Sequence, residues 1–374
     1  LKGPSTLLYG SSAIGGVVDV ETGRIPTNRM QETTGRAQLS ASDNANARNG
    51  KIRIDAPLGQ NFMVHMDAFV SDADDYDIPG SAESAAQHAK EEAEEAEEGH
   101  EEHEEEAVAT GKLVGSRNER AGGAVGLSYI GDRGFLGFSV SSFQSEYGLF
   151  GHEHHEEEEG HEEEGQGLID LSQTRYDIHG NLENPLPGFE SLDFRLGVND
   201  YQHKELEGNG EVGTTFSNEA WEGRLQLAHM ELNGFTGVLG LQASSREFSA
   251  IGEEAFVEPV KTKSVGVFWV GERSFNAFDL EAGLRFEDLD HEPTKIGSKN
   301  INFNTHSGSI GLIRSINDNL NVSLLFDVSS RAPAIEELYS NGPHLATSSF
   351  EIGNQNFVEE KAKAFTLNAA YQKE

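Results

Sequence analysis

Short segments in which large apolar residues alternate with small or polar ones recur along most of this chain. In 319–331, for example, Leu320, Val322 and Leu324 alternate with Asn321 and Ser323. A side-chain period of two is that of a β-strand with two unlike faces. Such strands fit an antiparallel transmembrane β-barrel, although a soluble β-sandwich would alternate too. We predict an all-β fold with about fourteen strands, at residues 33–42, 50–57, 61–72, 117–130, 134–147, 168–180, 190–204, 217–231, 235–248, 259–271, 276–289, 303–316, 319–331 and 361–372.

The connections between these strands alternate in length. Short turns such as 58–60, 131–133 and 317–318 fall at one end of the predicted sheet, where 181–190 is the one longer link. Short turns at one end and long loops at the other are typical of outer-membrane barrels. No run of 18 apolar residues is present, which excludes a transmembrane helix. The long connections all fall at the opposite end: 73–116, 148–167, 249–258, 290–302 and 332–360.

The first segment, LKGPSTLLYGSSAIGGVVDVET, is a glycine-hinged unit that ends in a β-branched run. It resembles the end of the plug domain of TonB-dependent outer-membrane receptors, whose usual form is G-P-x-S-x-L-Y-G-x-x-A-x-G-G-V-V-N-V-x-T. Asp19 stands where asparagine is more common in that family. Ser330–Pro333, Glu336–Tyr339 and Phe350–Asn354 also resemble segments of these receptors. The matching positions are Gly3, Pro4, Leu8, Tyr9, Gly10, Ala13, Gly15, Gly16, Val17, Val18, Val20 and Thr22.

This resemblance implies a domain organisation. Residues 1–24 would be the C-terminal end of the plug, and 25–374 a partial barrel with about fourteen of the twenty-two strands that the family's barrel has. The chain opens on Leu1, so we expect it to be a fragment that does not transport by itself. The resemblance also implies the outer membrane of a Gram-negative bacterium, contact with its lipid, and coupling to TonB through an N-terminal box that lies outside this chain.

Two tracts rich in histidine and glutamate occupy the first two long connections. Residues 151–165, GHEHHEEEEGHEEEG, contain four histidines and eight glutamates, and Ser81–Ala107 contains three histidines and twelve glutamates. Such segments cannot bury enough apolar surface to offset their ordering entropy. Imidazole and carboxylate are, however, the donors that zinc and related divalent metals bind. The barrel pattern places both tracts at the extracellular end.

We therefore predict a receptor that captures a scarce divalent metal, with zinc as the predicted cargo, on these loops. No resident cofactor is expected. Imidazole also suits nickel, copper and iron, and His/Glu tracts can instead be solvated charge runs without a defined site. The pattern, with the GFESLDFRL segment at 188–196, resembles the zinc-uptake branch of the family. The candidate metal ligands are His88, His100, His103, His152, His154, His155, His161 and His344.

Two other functions stay open at this stage. The chain could be a receptor for a metal chelate such as a siderophore or haem, in which case a pocket of aromatics and arginines is expected. It could also be an acidic surface β-protein that buffers metals or mediates adhesion. A net charge of −36, from 28 basic and 64 acidic residues, makes nucleic acid a poor partner. The chain has no cysteine, which excludes disulfides and thiolate metal sites, and it has no catalytic motif, so no enzyme is predicted.

The remaining polar and aromatic candidates receive structural interpretations. Four aspartates at the base of the first long loop could be metal ligands or a solvated rim. We predict that the histidines on strands face the barrel interior and that five aromatic residues form an interfacial girdle, with Trp269 also suited to packing within its strand. The residues are Asp72, Asp74, Asp75 and Asp77; His65, His179, His203, His229 and His306; and Trp221, Trp269, Tyr129, Tyr147 and Tyr201.

Overall fold

One antiparallel sheet of fourteen strands accounts for most of the structure. The computed structural model describes residues 3–13, 16–82, 84, 86, 110–149, 167–252, 255–295, 297–344 and 349–372. The sheet strands are β1 (Thr34–Ala41), β2 (Arg48–Leu58), β3 (Phe62–Ala73), β6 (Asn118–Ile130), β7 (Gly134–Gly148), β8 (Leu168–Glu183), β9 (Phe189–Leu206), β10 (Val212–Leu232), β11 (Phe235–Gly252), β12 (Val260–Phe275), β13 (Phe278–Pro293), β14 (Ile301–Asn317), β15 (Leu320–Arg331) and β18 (Glu360–Tyr371).

Short elements lie between or before these strands. Two small ladders pair β4 (Asp77–Ser81) with β5 (Thr110–Lys112), and β16 (Asn341–His344) with β17 (Ser349–Ile352). A single helical turn, α1 (Ile335–Tyr339), precedes β16. The 3-10 turns η1 (Pro4–Tyr9) and η2 (Asn44–Asn46) complete the described elements. Among the described residues, no helix combines the length and apolar character required to cross a bilayer.

The predicted all-β fold is confirmed. Each of the fourteen predicted strands overlaps one strand of the sheet, and strands adjacent in the sheet follow one another along the chain. The connections also alternate as predicted. Turns such as 131–133, 233–234 and 318–319 lie at one end, which we call the short-turn end, and the connections that contain β4–β5 and β16–β17 lie at the other, the long-loop end.

The two faces of the sheet are inverted relative to those of a soluble protein. On β7, Leu136 and Phe138 are 58% and 45% exposed, whereas Ser139 and Ser141, which have the opposite parity, are 2% and 8% exposed. The neighbouring Ser128 of β6 is fully buried. Large apolar side chains on the outer face and small polar ones on the inner face suit a barrel whose outside contacts lipid.

Aromatic side chains gather on the outer face near the short-turn end. The ring centroids of Phe62 and Tyr129 lie 5.3 Å apart, and those of Phe235 and Trp269 lie 5.8 Å apart. This arrangement is that of an interfacial girdle, in which amphipathic rings sit at the boundary between lipid and water. The girdle prediction is wrong for Tyr147 and Tyr201. Strand alternation turns both rings to the inner face, where they have the parity of buried Ser145 and of half-buried His203.

The main apolar cluster lies at the long-loop end. Leu338 of α1 and Val257 of the β11–β12 connection are 1% and 0% exposed, and both belong to one buried cluster with Phe216 and Phe303 of the sheet. A backbone hydrogen bond of 2.7 Å from Asn341 N to Phe256 O joins the same two connections. This cluster fixes the connections over β10–β14 at that end.

Candidate metal-capture rim

The described residues that flank the two His/Glu tracts lie at the long-loop end. The first tract begins at the end of β4, where Ser81 is paired with Thr110 of β5. The second tract lies between Leu149 and Gly167, whose backbones are joined by a hydrogen bond of 2.9 Å from Leu149 N to Gly167 O. Each tract therefore lies in the sequence between two backbone segments that are hydrogen-bonded or paired with each other. We call the described residues that flank each tract its root.

The two roots touch each other. Gly148 N, three residues before the second tract, donates to Arg117 O, ten residues after the first, over 3.2 Å. A side chain on Gly148 would have its Cβ only 2.2 Å from Gly115 O. That contact permits only glycine at 148 without rearrangement, because a Cβ does not approach a backbone oxygen so closely. The connection that contains the first tract thus returns to the sheet at β6, and the one that contains the second leaves it from the adjacent strand β7.

The predicted metal ligands themselves mostly lie outside the described residues. The structure describes only the backbone of His344, which ends β16 opposite Ser349 of β17. The ligand set formed by the eight candidates therefore stays a prediction. Those outside the described residues are His88, His100, His103, His152, His154, His155 and His161.

The aspartates at the root of the first tract have structural partners. Asp74 Oδ2 accepts a hydrogen bond of 2.9 Å from Asn46 Nδ2, and Asp75 Oδ1 accepts one of 2.9 Å from the backbone N of Arg117. Within the described ranges, no group of three or more His, Cys, Asp or Glu side chains is arranged to hold a metal ion. These contacts favour the interpretation of Asp74 and Asp75 as rim residues that order the loop base.

The histidines on strands divide between the two faces. His65, His179 and His203 face inward as predicted. His65 is fully buried, and its Nδ1 and Nε2 lie 2.7 Å from Asp55 Oδ1 and 2.7 Å from Asp67 Oδ2. Each ring nitrogen of His65 therefore lies within hydrogen-bond distance of a carboxylate on the inner wall.

The inward prediction is wrong for His229 and His306, which lie on the outer face. His306 pairs in register with Phe286, which is 49% exposed, and their rings meet edge to face at 5.4 Å. His229 Nε2 accepts a hydrogen bond of 3.1 Å from Nε1 of the girdle residue Trp269. Their location on the lipid-facing side removes both from any interior site.

A buried polar group on the inner wall, which is not among the residues predicted from the sequence, holds the N-terminal segment. Arg285 Nη1 donates to Leu7 O over 3.2 Å, and Arg285 Nε donates to Glu287 Oε2 over 2.8 Å. Glu287 also accepts from Ser11 N at 3.2 Å and from Ser11 Oγ at 3.1 Å. The side chains of Arg285 and Glu287 are 2% and 7% exposed. The available signal was a basic and an acidic residue two positions apart on an inward face, as in Arg285-x-Glu287.

Arg224 adds a second point of attachment for the same segment. Its Nη1 donates to Leu8 O over 3.1 Å, and its guanidinium carbon lies 4.9 Å from the centre of the Tyr9 ring. Leu7 O and Leu8 O are carbonyls in the last turn of η1, which lack partners within the turn. Burial raises the pKa of the Tyr9 hydroxyl, and its hydrogen bond to Asp19 raises it further. Arginines of the sheet therefore satisfy the end of η1.

Closer to the long-loop end, the inner wall of β9–β11 combines aromatic and basic groups. The ring of His203 stacks on Phe216 with centroids 4.5 Å apart, and Tyr201 Oη lies 3.0 Å from His203 Nδ1. Arg246 Nε donates to Asn218 Oδ1 over 3.1 Å, and its guanidinium carbon lies 5.2 Å from the Phe248 ring centre. Such a wall could bind a planar or anionic ligand.

The connection above this wall is fixed by two ionisable groups of α1. A hydrogen bond from Arg331 lowers the pKa of Glu337, whose Oε2 also accepts from Ala334 N at 2.6 Å. Burial raises the pKa of Tyr339 to about 12, and the nearby Glu258 carboxylate contributes to this shift. The Tyr339 hydroxyl donates to Lys299 O over 3.0 Å. The mouth at this side is therefore an ordered structure.

Comparison with known proteins agrees with this architecture. The family model described as "TonB dependent receptor-like, beta-barrel" matches residues 108–374. The copper transporter OprC superimposes with a TM-score of 0.67 at 14% identity, over 93% of this chain and 52% of that one. A double mutant of the Serratia marcescens hemophore receptor HasR, in complex with its hemophore HasA and heme, gives 0.64 at 14% identity, over 92% and 52%.

The alcaligin outer-membrane receptor FauA from Bordetella pertussis is also similar. It gives a TM-score of 0.62 at 13% identity, over 91% of this chain and 49% of that one. The present chain thus spans about half the length of these solved structures. At such low identity, the likeness concerns the fold alone, and the ligands named for these three proteins differ from one another.

Proposed function

The chain belongs to the TonB-dependent receptor β-barrel family, and on that premise we propose that it is part of a receptor that imports a scarce divalent metal, with zinc as the cargo. Barrels of this family lie in the outer membrane of Gram-negative bacteria, and that is the location of this chain. Coupling to the TonB protein is part of the proposal, because the outer membrane has no ATP of its own.

The observation that carries the proposal is the contact between the roots of the two tracts. The hydrogen bond from Gly148 N to Arg117 O joins described residues that flank the two tracts, at one corner of the rim. Two tracts so tethered share a high local concentration of imidazole and carboxylate groups. A zinc ion requires about four ligands, so ligands from both tracts can complete one tetrahedral site.

The charge of the tracts adds a second effect. Together they contain twenty glutamates and one lysine, Lys90. Such a field raises the local concentration of cations before any specific bond forms. We propose that the glutamates concentrate the metal and that the histidines select it, since imidazole prefers transition metals to calcium or magnesium.

The domain division belongs to the same proposal. Residues 1–24 act as the end of the plug, and 25–374 as part of the barrel with loops at 73–116 and 148–167. Supporting this division, η1 lies against the inner wall, where Arg285 and Arg224 donate to its carbonyl oxygens. Metal collected by the loops then passes into the barrel above this segment.

Zinc accumulation tests this function in cells that depend on the gene encoding this chain. One variant replaces the seven tract histidines by asparagine and keeps every glutamate; a matched variant replaces seven tract glutamates by glutamine and keeps every histidine. At limiting zinc, we expect the histidine variant to accumulate on the order of tenfold less metal and the glutamate variant to lose less. Equal accumulation in the histidine variant and the unaltered receptor would exclude capture by the tracts.

A chelate receptor is the second candidate function. The wall formed by Tyr201, Phe216, Arg246 and Phe248 favours it, because aromatic and cationic groups together suit a planar or anionic chelate. Substitution of Arg246 by glutamine would then abolish uptake of the chelate, whereas uptake of free zinc would be unaffected. An acidic surface protein without a membrane role is disfavoured by the exposed apolar band on the outer face.

A further inference from the structure

We propose that a basic cavity on the inner wall of β1–β3 binds a small oxyanion that carries carboxylate or phosphate groups. The cavity has a volume of about 370 Å³ and lies between these strands and the segment 22–24. Four of its lining side chains are cationic. These are Arg24, Arg36, Lys51 and Arg53.

The acidic groups at this cavity already have partners. Asp55 accepts from Arg53 Nε at 2.7 Å, and its other oxygen lies 2.7 Å from His65 Nδ1. Asp67 lies 2.7 Å from His65 Nε2 and 3.5 Å from Arg24 Nε. Two carboxylates are therefore shared among two arginines and a histidine, and neither remains to neutralise Arg36 or Lys51.

The positions of Arg36 and Lys51 are electrostatically unfavourable when no anion is bound. Arg36 is the direct partner of Arg53 in the antiparallel pair β1–β2, so two guanidinium-bearing residues stand opposite each other on one face. Like charges at directly opposed positions are destabilising. Within the part of the chain that the structure describes, no carboxylate lies within ion-pair distance of Arg36 or Lys51. An anion bound near Arg36 and Arg53 would relieve the repulsion between these two residues.

The unusual sign of the charge strengthens the inference. The chain as a whole has a net charge of −36. The outer face at the neighbouring rim is acidic, where Asp72 of β3 pairs with Glu119 of β6, and Glu119 pairs with Glu146 of β7. A cationic cavity on the inner face of the same strands therefore attracts anions that the rest of the surface repels.

Part of the cavity is already ordered for binding. Arg53 is held by Asp55 and also donates to Thr22 O at 3.3 Å and to Gly23 O at 3.4 Å. These contacts use four of its five N–H groups and leave one on Nη1 for a ligand, and a guanidinium fixed in this way loses little entropy on binding. The ring of Phe69 supplies an apolar side. The volume falls within the usual range for small-molecule sites, roughly 300–1,000 Å³.

This site is independent of metal capture by the tracts. A free oxyanion and a zinc complex that retains uncoordinated carboxylates present the same chemistry to Arg36 and Lys51. Calorimetry on the full chain in detergent can separate these two sources with three probes: citrate, inorganic phosphate, and citrate saturated with Zn²⁺.

The test compares two double variants. Arg36→Gln/Lys51→Gln removes the two unpaired cations, and Lys361→Gln/Lys363→Gln removes two exposed cations of the other edge strand, β18. We expect at least one probe to bind the unaltered chain, with affinity that falls as salt rises, and to bind the cavity variant at least about tenfold more weakly. The β18 variant should bind as the unaltered chain does.

The pattern among the probes identifies the source. Binding of citrate or phosphate alone indicates a free oxyanion, and binding of zinc citrate only indicates a metal complex. The proposal is overturned if no probe binds at millimolar concentration, or if both double variants bind equally. Zinc accumulation that depends on the tract histidines would still stand in either case, so failure here is distinguishable from failure of the proposed function.

Discussion

Two regions of the inner wall dock the N-terminal segment by different means. The β11–β13 region holds residues 7–11 with long side chains, since Arg285 and Glu287 hydrogen-bond to Leu7 and Ser11. The β6–β7 region contacts residues 24–25 at two glycines, Gly126 and Gly137, where the absence of a side chain permits close approach. A Cβ on Gly126 would lie 1.8 Å from Arg24 O, and one on Gly137 would lie 2.3 Å from Ile25 Cγ2. One contact depends on paired charges and the other on close approach of two backbones.

This difference predicts opposite sensitivities. The β11–β13 contact should be damaged by deleting atoms, because each deletion leaves a buried charge without its partner. The β6–β7 contact should be damaged by adding atoms, because no space remains between these strands and residues 24–25. Substitutions that shorten a side chain in the first region and lengthen one in the second test the comparison directly.

Arg285→Leu should have the largest effect. The change leaves Glu287, whose side chain is 7% exposed, as a buried and uncompensated carboxylate. We expect the free energy of unfolding to fall by about 3–5 kcal/mol. Thermal unfolding in detergent, followed by circular dichroism, measures this change. Arg285→Leu/Glu287→Leu should recover much of the loss, because no unpaired charge then remains.

The matched control is Arg175→Leu on β8. Arg175 also pairs with an acidic residue two positions away, Asp177, at 2.8 Å, but its side chain is 50% exposed. An exposed pair contributes at most about 1 kcal/mol. If Arg175→Leu and Arg285→Leu destabilised the protein equally, burial would not be what makes the β11–β13 contact sensitive.

Gly126→Ala should have the next largest effect. One added methyl group would overlap the carbonyl oxygen of Arg24, so residues 22–25 must move away from the wall. Overpacking of this kind costs about 1–3 kcal/mol. Limited proteolysis of residues 22–33 reports the displacement, and thermal unfolding reports the cost. Gly223→Ala on β10 is the control, because the nearest atom to the new Cβ would be 3.7 Å away. It should leave both the proteolysis pattern and the thermal unfolding almost unchanged.

Glu337→Gln should have the smallest effect and concerns the mouth above the β10–β14 wall. The hydrogen bond from Arg331 lowers the pKa of Glu337. Its stabilisation is therefore complete above the ordinary pKa of a glutamate, and it is lost as the pH falls through the lowered value. Because Glu337 is 41% exposed, the contribution stays below about 1 kcal/mol.

Hydrogen exchange of the α1 amides at neutral and acidic pH measures this contribution. In the unaltered chain, protection of these amides should fall on acidification, whereas in Glu337→Gln it should be lower and nearly independent of pH. Glu336→Gln, one position earlier in the same turn, is the control and should retain the pH dependence. If the pH dependence of protection were lost in both variants, it would not arise from the Arg331–Glu337 pair.

Much of the fold could be predicted from the sequence, because alternation and turn chemistry are local properties. The strands and the ends at which loops lie depend only on such patterns, and Gly134–Gly148 begins where predicted and ends one residue later. The outward face of His229 could also have been predicted, because His229 has the same parity as the apolar Leu225 and Leu227 of its strand. Its pairing with Gly237 of β11 continues the register of these residues.

The contacts of the inner wall were less accessible from the sequence. Arg285 and Glu287 meet Leu7 and Ser11 across more than 270 positions of sequence, and no local pattern encodes a pairing at that separation. The face of His306 could have been predicted, because His306 has the parity of the apolar Ile310 and Leu312, whereas its neighbours Thr305 and Ser307 are small and polar. By contrast, the position of Arg36 directly opposite Arg53 can be inferred only when the β1–β2 register is known.

Zinc binding by the purified full chain tests the central claim, which is that two tracts rooted at one corner of the rim form a shared metal site. Calorimetry would compare the unaltered chain with variants in which the histidines of 81–107, those of 151–165, or both are replaced by asparagine. A shared site predicts that either single set weakens zinc affinity by on the order of tenfold or more, because each removes ligands from the same ion. If each set only reduced the number of bound ions and left the affinity of the others unchanged, the two tracts would bind metal separately and the claim would be contradicted.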